Sequence, residues 1–203
     1  MGNTKDLGKR IFWMVLGNVV IALGVCLFKL SLMGTDPSMS FAIGLGVVTG
    51  LDMAVTWIIL NSIFFVIVFI FGRDLIGIGT VFNWFGIGIL SNLWTKLLSA
   101  FITFSEDTAS FIVLLLGVVF LSLGISIYQK TKLGVAPYDA LAIILSRRFH
   151  KPYFWCRVAT DAVCVTGALL CHGAVGWGTV FAAFGMGPII SLFDKNVTDK
   201  LTF

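Results

Sequence analysis

Two short stretches with the same break constrain the fold of this chain more than any other feature. Each follows a long apolar run, breaks at a glycine and at a proline three residues later, and continues into a short apolar segment. The first break is Gly34–Pro37 and the second is Gly134–Pro137. Within a bilayer, a broken helix frees backbone polar groups that must face protein or a water-filled cavity. Paired breaks at corresponding places in two halves are typical of transporter binding sites.

The repetition extends well beyond the two breaks. Residues 16–45 match residues 116–145 at ten of thirty positions, and residues 79–88 match residues 178–187 at seven of ten. The identities include glycines and a proline in one register, which two unrelated apolar helices would not share. An odd number of spans in each half places the halves in opposite orientations. The sequence therefore predicts a 3+3 inverted repeat, with a site near the bilayer midplane where the halves meet.

The composition is that of a single all-α membrane domain. Hydrophobic residues make up 58% of the chain and charged residues 12%, whereas soluble domains carry about 25% charged residues. The polar turn Ser105–Asp107 divides the chain into a first half, residues 1–104, and a second half, residues 105–203. The basic residues lie at the ends of apolar runs and form no solvated patch, which argues against nucleic acid as a partner and for the lipid bilayer.

Six apolar runs approach the length of about 20 residues that a membrane span requires. They are residues 11–33, 53–71, 78–98, 111–128, 152–172 and 177–193. The segments after the two breaks are too short to span, so we expect re-entrant or half-length helices there. With both termini in the cytoplasm, most Lys and Arg residues fall on the inner side, as the positive-inside rule requires. Lys29, near the end of the first run, is expected to reach the membrane interface.

The order of motifs resembles that of the bacterial YitT/YczE family of membrane proteins. The resemblance rests on an aliphatic helix, a Gly-x-x-Pro break, a short segment, and a later helix that opens with Gly-Thr-Val, and it extends over nearly the whole chain. It implies an integral, multi-pass protein of the bacterial cytoplasmic membrane and supplies no substrate. The two copies differ in their acidic residues. Asp36 precedes the first proline, whereas Ala136 precedes the second and Asp139 follows it.

Asp161 is the foremost candidate for a functional residue. It falls near the middle of the fifth predicted span, where a carboxylate is costly and marks a functional site by default. Its counterpart in the first half is Asn61, so that two polar groups occupy matched midplane positions. Arg157 lies one helical turn before Asp161, at the spacing of an intrahelical ion pair. The alternative is that this pair only neutralises two buried charges.

Asp36 and Asp139 lie at the starts of the two short segments. A ligand or ion contact is one interpretation, because free N–H groups at helix N-termini favour anions. The other is helix capping, worth about 1 kcal/mol, and it is the favoured interpretation for Asp36. For Asp139, which lies beyond the cap position, both interpretations stay open.

Thr80, Asn83 and Thr179 follow glycines at the starts of the third and sixth predicted spans. They are candidates for hydrogen bonds to a substrate, although bonds to a neighbouring helix are the commoner use of such residues in membranes. Gly79, Gly86, Gly178 and Gly185 recur at intervals of seven, which predicts close packing between helices. Most of the six tryptophans lie near predicted span ends, which is typical of an interfacial belt.

These patterns favour a small-molecule secondary transporter whose site includes Asp161, Arg157 and Asn61. The arginine and the helix N-termini favour a ligand with an anionic group, and Asp161 or Asp139 is the candidate proton carrier. The alternative is a partner-dependent substrate-capture or accessory subunit, although the first run lacks the Ala-x-x-x-Ala docking motif of such subunits. An enzyme is disfavoured because no nucleophile, base, cofactor or metal constellation is visible. A homodimer fits the size of the chain, but no face is indicated.

Overall fold

The computed structural model describes residues 4–99 and 107–201, and this part of the chain is all-α. The eight α-helices are α1 (Thr4–Leu30), α2 (Pro37–Thr49), α3 (Met53–Phe71), α4 (Ile78–Ser99), α5 (Asp107–Lys130), α6 (Pro137–Phe149), α7 (Tyr153–Leu170) and α8 (Trp177–Asn196). Single 3₁₀ turns follow α3 at Arg73–Leu75 and α8 at Thr198–Lys200. The predicted boundary between residues 104 and 105 lies outside the described residues.

Four of these helices are long and apolar enough to cross a membrane: α1, α3, α5 and α8. Helix α4 has 22 residues and α7 has 18, but polar and charged side chains interrupt the apolar sequence of both. The buried members of that polar set are Thr80, Asn83 and Ser91 in α4, and Arg157, Thr160 and Asp161 in α7. Side chains of this kind lower the hydropathy of both helices, although each is buried inside the protein.

The two short helices begin where the sequence breaks. Helices α2 and α6 each contain 13 residues and start at a proline, which tolerates the first helical position because its missing N–H would have no partner there. Gly34 and Gly134 have φ angles of 128° and 119°, a conformation that a side chain would strain. Each break is therefore fixed by one glycine and one proline.

Helices α1 and α5 cross at the centre of the molecule through glycines. A Cβ atom at Gly24 would lie 2.6 Å from the backbone N of Leu121, and one at Gly124 would lie 2.6 Å from the backbone N of Ile21. Close backbone approach at small residues is the usual packing device in membranes. The main hydrophobic core surrounds this crossing and includes side chains of α8, such as Met186.

The N-terminus of α4 docks on the α5–α6 connection, and the N-terminus of α8 docks on the α1–α2 connection. The Gly79 N–H donates to the carbonyl of Leu133, and the Gly178 N–H donates to the carbonyl of Met33, both at 2.8 Å. Gly79 and Gly178 thus pack closely, as predicted.

The same prediction is wrong for two other glycines. Among the described residues, a Cβ atom at Gly185 would have no neighbour within 4 Å, and one at Gly86 would meet first the ring of Phe82 on its own helix. Both positions lie far enough along α4 and α8 to have left the docked first turn, so the interval of seven residues does not keep them in contact with a neighbouring helix.

Candidate functional site

A cavity of about 210 Å³ lies at the centre of the helix bundle. All eight α-helices, or the cap residues that begin them, contribute side chains to its lining. Its polar and charged lining residues are Lys29, Asp36, Ser38, Asn61, Asn83, Ser91, Tyr138, Asp139 and Arg157. Polar groups converge on this one space, which is the arrangement expected of a small-molecule site.

The starts of α2 and α6 both border the cavity, because the chain breaks there. Pro137, Tyr138 and Asp139 belong to the first turn of α6 and line the cavity together. On α2, the cap residue Asp36 and the first-turn residue Ser38 do the same. Two helix N-termini therefore face one cavity and bring partial positive charge to it.

A buried ion-pair cluster forms one wall of the cavity. Arg157 Nη1 pairs with Asp139 Oδ1, and Arg157 Nε donates to Asp161 Oδ2 at 3.3 Å. The exposed fractions of the three residues are 3%, 7% and 0% respectively. A buried arginine that lost both partners would be an uncompensated charge, so each of the three side chains depends on the others.

Two tyrosines complete this cluster at its ends. Tyr128 Oη donates to Asp139 Oδ2, and Tyr138 Oη donates to Asp161 Oδ1. The Arg157 guanidinium also lies over the Tyr138 ring, 4.7 Å from its centroid, a favourable cation–π contact. Five side chains thus form a continuous chain of hydrogen bonds that joins α5, α6 and α7.

The charges of this cluster are not equal in number. It holds two carboxyl groups, those of Asp139 and Asp161, and one guanidinium, so with both carboxylates ionised its net charge is negative. The N-terminus of α6 offsets part of that charge at Asp139. A proton on either carboxyl group would make the cluster neutral and free the guanidinium from one partner. The arrangement can therefore gain or lose one proton without losing every ion pair.

Part of the cavity lining is aromatic and apolar. It includes Met39, Trp57 and Trp84, and the Trp84 ring packs against Phe65 with centroids 5.9 Å apart. At the offset of 100 residues, Met39 and Trp57 correspond to Asp139 and Arg157. At these two positions the second half therefore has charged side chains where the first half has apolar ones, although Lys29 and Asp36 bring further charge to the lining from the first half.

The structure brings five of the eight predicted site residues to the cavity lining: Asp36, Asn61, Asn83, Asp139 and Arg157. Asp161 does not line the cavity, because Arg157 and Tyr138 lie between its carboxylate and that space. It is nevertheless bonded directly to two lining residues.

The hydrogen bonds of the lining residues show which side chain caps a helix and which ones bond to other groups. Asp36 Oδ1 accepts from the N–H groups of Ser38 and Met39 at 3.1 and 3.2 Å, so that it caps α2. Asn61 donates to the Trp57 carbonyl one turn earlier, at 3.0 Å. Asn83 donates to the Oδ1 of Asn18 at 2.9 Å. Each side chain keeps other polar capacity free for a ligand.

Thr80 and Thr179 lie outside the cavity lining. Thr80 Oγ1 accepts from the N–H of Gly77 at 3.1 Å, and Thr179 Oγ1 accepts from the N–H groups of Gly176 and Thr35, each at 3.3 Å. Both hydroxyls are buried at helix starts, where they satisfy backbone donors that have no partner in the helix. Their geometry is that of structural capping.

Sequence reasoning missed several residues of the site, including Tyr128, Tyr138 and Lys29. Tyr128 and Tyr138 carry no charge, and neither lies at a position where the two halves share a residue. The signal for Tyr138 was its place directly after the second proline. Lys29 was expected at the interface, but it lines the cavity, with its Nζ 3.3 Å from Ser91 Oγ. Its side chain runs along the cavity because α4 supplies a hydroxyl there.

Four helices long and apolar enough to cross a membrane, packed with the others around a buried polar centre, indicate a multi-pass membrane protein. The chain belongs to DUF6198, a family of unknown function whose model matches residues 8–195. It is 27% identical to the uncharacterized membrane protein YczE of Bacillus subtilis over 187 residues, which cover 92% of this chain and 86% of YczE. The resemblance to YczE drawn from the sequence is thereby confirmed.

Two further relatives cover similar lengths. An uncharacterized protein of Haemophilus influenzae is 28% identical over 90% of this chain and 81% of its own, and YyaS of Bacillus subtilis is 26% identical over 88% and 89%. No solved structure has significant similarity to the chain.

Proposed function

We propose that this protein is a small-molecule secondary transporter of the bacterial cytoplasmic membrane. In this proposal α1, α3, α4, α5, α7 and α8 span the bilayer, both termini are cytoplasmic, and α2 and α6 are half-length helices that begin at the central site. The observation that carries the proposal is the cavity, which takes its lining from all eight helices and has a charged cluster in its wall.

Counting α4 and α7 as spans rests on where their polar groups point. Arg157 and Asp161 of α7 are buried, whereas Val163 and Leu169 on the same helix are more than half exposed. The helix therefore presents an apolar face to its surroundings and keeps its charges inside, which is the arrangement of a membrane helix that carries functional charges.

The proposed 3+3 inverted repeat is supported by two reciprocal contacts. The start of α4 bonds to the connection between α5 and α6, and the start of α8 bonds to the connection between α1 and α2, through the same glycine–carbonyl pairing. Each half thus docks on the break of the other half. Transporters with inverted repeats alternate access by rocking one half against the other around a fixed central site.

The substrate that fits this cavity is small and amphipathic. A volume of about 210 Å³ is below the roughly 300–1,000 Å³ of pockets for drug-sized ligands. The guanidinium of Arg157 already has two carboxylate partners, so an anionic group of the substrate is assigned to Lys29, which forms no ion pair with any residue the structure describes. The apolar part would lie along Trp57 and Trp84.

Proton coupling is assigned to the cluster of Asp139, Arg157 and Asp161. Protonation of one carboxyl group would weaken its bond to the guanidinium, and the cluster joins helices α6 and α7 that must move if access alternates. A proton taken up on one side and released on the other would then bias the direction of the cycle. The arrangement needs no further cofactor.

The test begins with binding. The purified protein is melted with a panel of small carboxylates and phosphates at about pH 5.5 and about pH 7.5, because a ligand of the folded state raises the melting temperature by mass action. Hits are then measured for uptake into proteoliposomes, with and without a proton gradient. We expect saturable uptake that the gradient accelerates.

Matched variants assign the roles. Lys29→Gln should abolish the melting shift, whereas Lys195→Gln, an equal charge change on an exposed residue of α8, should keep it. Asp161→Asn should keep binding but lose acceleration by the gradient, and Asp199→Asn should leave both unchanged. Binding without any uptake would overturn the transporter proposal and favour a substrate-capture subunit that needs a partner.

A further inference from the structure

A second concave site lies on the outer face of the bundle, between α3, α6 and α7. This groove has a volume of about 650 Å³. Its walls are apolar and include Phe64, Leu141 and Val163, while Arg147 and Arg148 lie at its end. It is separate from the central cavity and shares no lining residue with it.

The groove is open to the surroundings of the protein. Val163 and Phe71, two of its lining residues, are 69% and 66% exposed. In the proposed function α3, an apolar helix long enough to cross a membrane, spans the bilayer, and this face then meets lipid chains. The natural occupant of an apolar groove in that position is an acyl chain.

The two arginines define the polar end of the groove. Both lie in the last turn of α6. Arg147 Nη1 is 2.5 Å from Asp74 Oδ2, in a pair whose side chains are both more than half exposed. Arg148 is exposed and forms no ion pair within residues 4–99 and 107–201. Two guanidinium groups and one carboxylate leave a net positive charge beside the apolar walls.

We propose that this groove binds an anionic phospholipid. One acyl chain lies between α3 and α6 against Phe64 and Leu141, and the phosphate lies between Arg147 and Arg148. Arginine binds phosphate oxygens through paired N–H groups, and basic pockets between membrane helices select anionic head groups. A zwitterionic lipid offers the same phosphate, but its own ammonium cancels the charge that the arginines would recognise.

The groove exists because of particular side chains on α6 and α3. A Cβ atom at Gly72, at the end of α3, would lie 2.9 Å from Ile144 Cδ1, so Ile144 packs against the end of α3. Ile67 and Phe71 line the groove along the same helix. Side chains of both helices thus form the walls of the groove.

The experiment uses the full chain in nanodiscs of phosphatidylcholine, with and without phosphatidylglycerol, and counts bound lipid by native mass spectrometry. We expect the protein to retain phosphatidylglycerol in preference to phosphatidylcholine. Replacing both arginines, by Arg147→Gln with Arg148→Gln, should weaken that preference roughly tenfold or more, since each basic residue near anionic lipid contributes about fivefold. Lys195→Gln, outside the groove, should change nothing.

A second pair of variants tests the apolar part of the groove. Val163→Trp fills it, whereas Val119→Trp places the same side chain on an exposed position of α5 that does not line it. We expect the first to displace the lipid and the second to retain it, with both variants melting like the parent in phosphatidylcholine. Equal retention of both lipids would overturn the proposal. An equal rise in melting temperature with soluble glycerol phosphate would overturn it as well.

Discussion

The two short helices are packed in opposite ways, although both contain 13 residues and both begin at a proline. Helix α2 is sealed against α7, because a Cβ atom at Gly44 would lie 2.9 Å from Cys171 Cβ and one at Gly167 would lie 2.7 Å from the Phe41 ring. Helix α6 leaves a groove against α3. At the offset of 100 residues, Ile144 stands where α2 has Gly44.

The same comparison separates the residues at and beside the central cavity. The second half supplies Asp139, Arg157 and Asp161, and the first half supplies Met39, Trp57 and Asn61 at the matched positions. At these matched positions the duplicated scaffold thus carries charged side chains in its second half and uncharged ones in its first. The difference lies in a handful of side chains, while the helix boundaries of the two halves remain alike.

The largest effect is expected at the charged half. Arg157→Leu leaves two buried carboxylates without their guanidinium, and breaking a buried ion pair from one side costs about 3–5 kcal/mol. Trp57→Leu, at the matched position, removes no charge and should cost less. Chemical unfolding in mixed micelles measures both. If the two variants lost equal stability, the ion-pair cluster would not be what distinguishes the halves.

A smaller effect is expected when one hydroxyl is removed from the cluster. Tyr138→Phe deletes the donor to Asp161, and hydrogen bonds to charged groups contribute about 1.5–3 kcal/mol. The loss should be larger at high pH, where Asp161 is ionised, than at low pH, where a protonated carboxyl group needs the donor less. Tyr153→Phe on α7 is the control, since its hydroxyl lies 3.4 Å from Gln129 and bonds to neither carboxylate. If Tyr138→Phe lowered the melting temperature by the same amount at every pH, this role of Tyr138 would be contradicted.

The seal between α2 and α7 gives the third prediction. Gly44→Ala forces a methyl group against Cys171 and the backbone N of Gly173, and overpacking of this kind costs about 1–3 kcal/mol. Gly185→Ala meets no atom within 4 Å in the part of the chain that the structure describes, so it should be neutral or stabilising, because alanine favours a helix by up to about 1 kcal/mol. A neutral Gly44→Ala would mean that α2 is less tightly held than its contacts indicate.

Much of the fold follows from the sequence because its signals are local. The apolar runs, the two Gly–Pro breaks and the polar turns place most helix ends within a few residues of where they lie, and Asp36 caps α2 as expected. The exception is the start of α1, which begins at Thr4 and not at residue 11. Only part of the ion-pair cluster could be predicted from the sequence. The spacing of Arg157 and Asp161 indicated their pair, whereas the bond from Arg157 to Asp139 joins α7 to α6 and depends on how those helices pack.

The groove was not predictable for the same reason. Its lining comes from three helices that are distant in sequence, and an isoleucine at residue 144 indicates an apolar surface whether or not a groove lies beside it. Lys29 illustrates the converse case. Its place near the end of an apolar run favoured the interface, but Ser91 of α4 lies within hydrogen-bond distance, and contacts between helices far apart in sequence leave no local pattern.

The smallest effect is expected at the exposed ion pair beside the groove. Arg147→Gln removes the partner of Asp74, and both side chains are more than half exposed, so the pair contributes about 0–1 kcal/mol and is screened by salt. In lipid-free micelles we expect a change in melting temperature of a degree or so at most, by the usual scaling of small changes in free energy. In nanodiscs with phosphatidylglycerol the same variant should lose more, because the arginine there also holds the phosphate. If the melting temperature of Arg147→Gln fell equally with and without the anionic lipid, the ion pair with Asp74 would be the whole role of Arg147. The groove beside α6 would then differ from the closely packed side of α2 in packing alone.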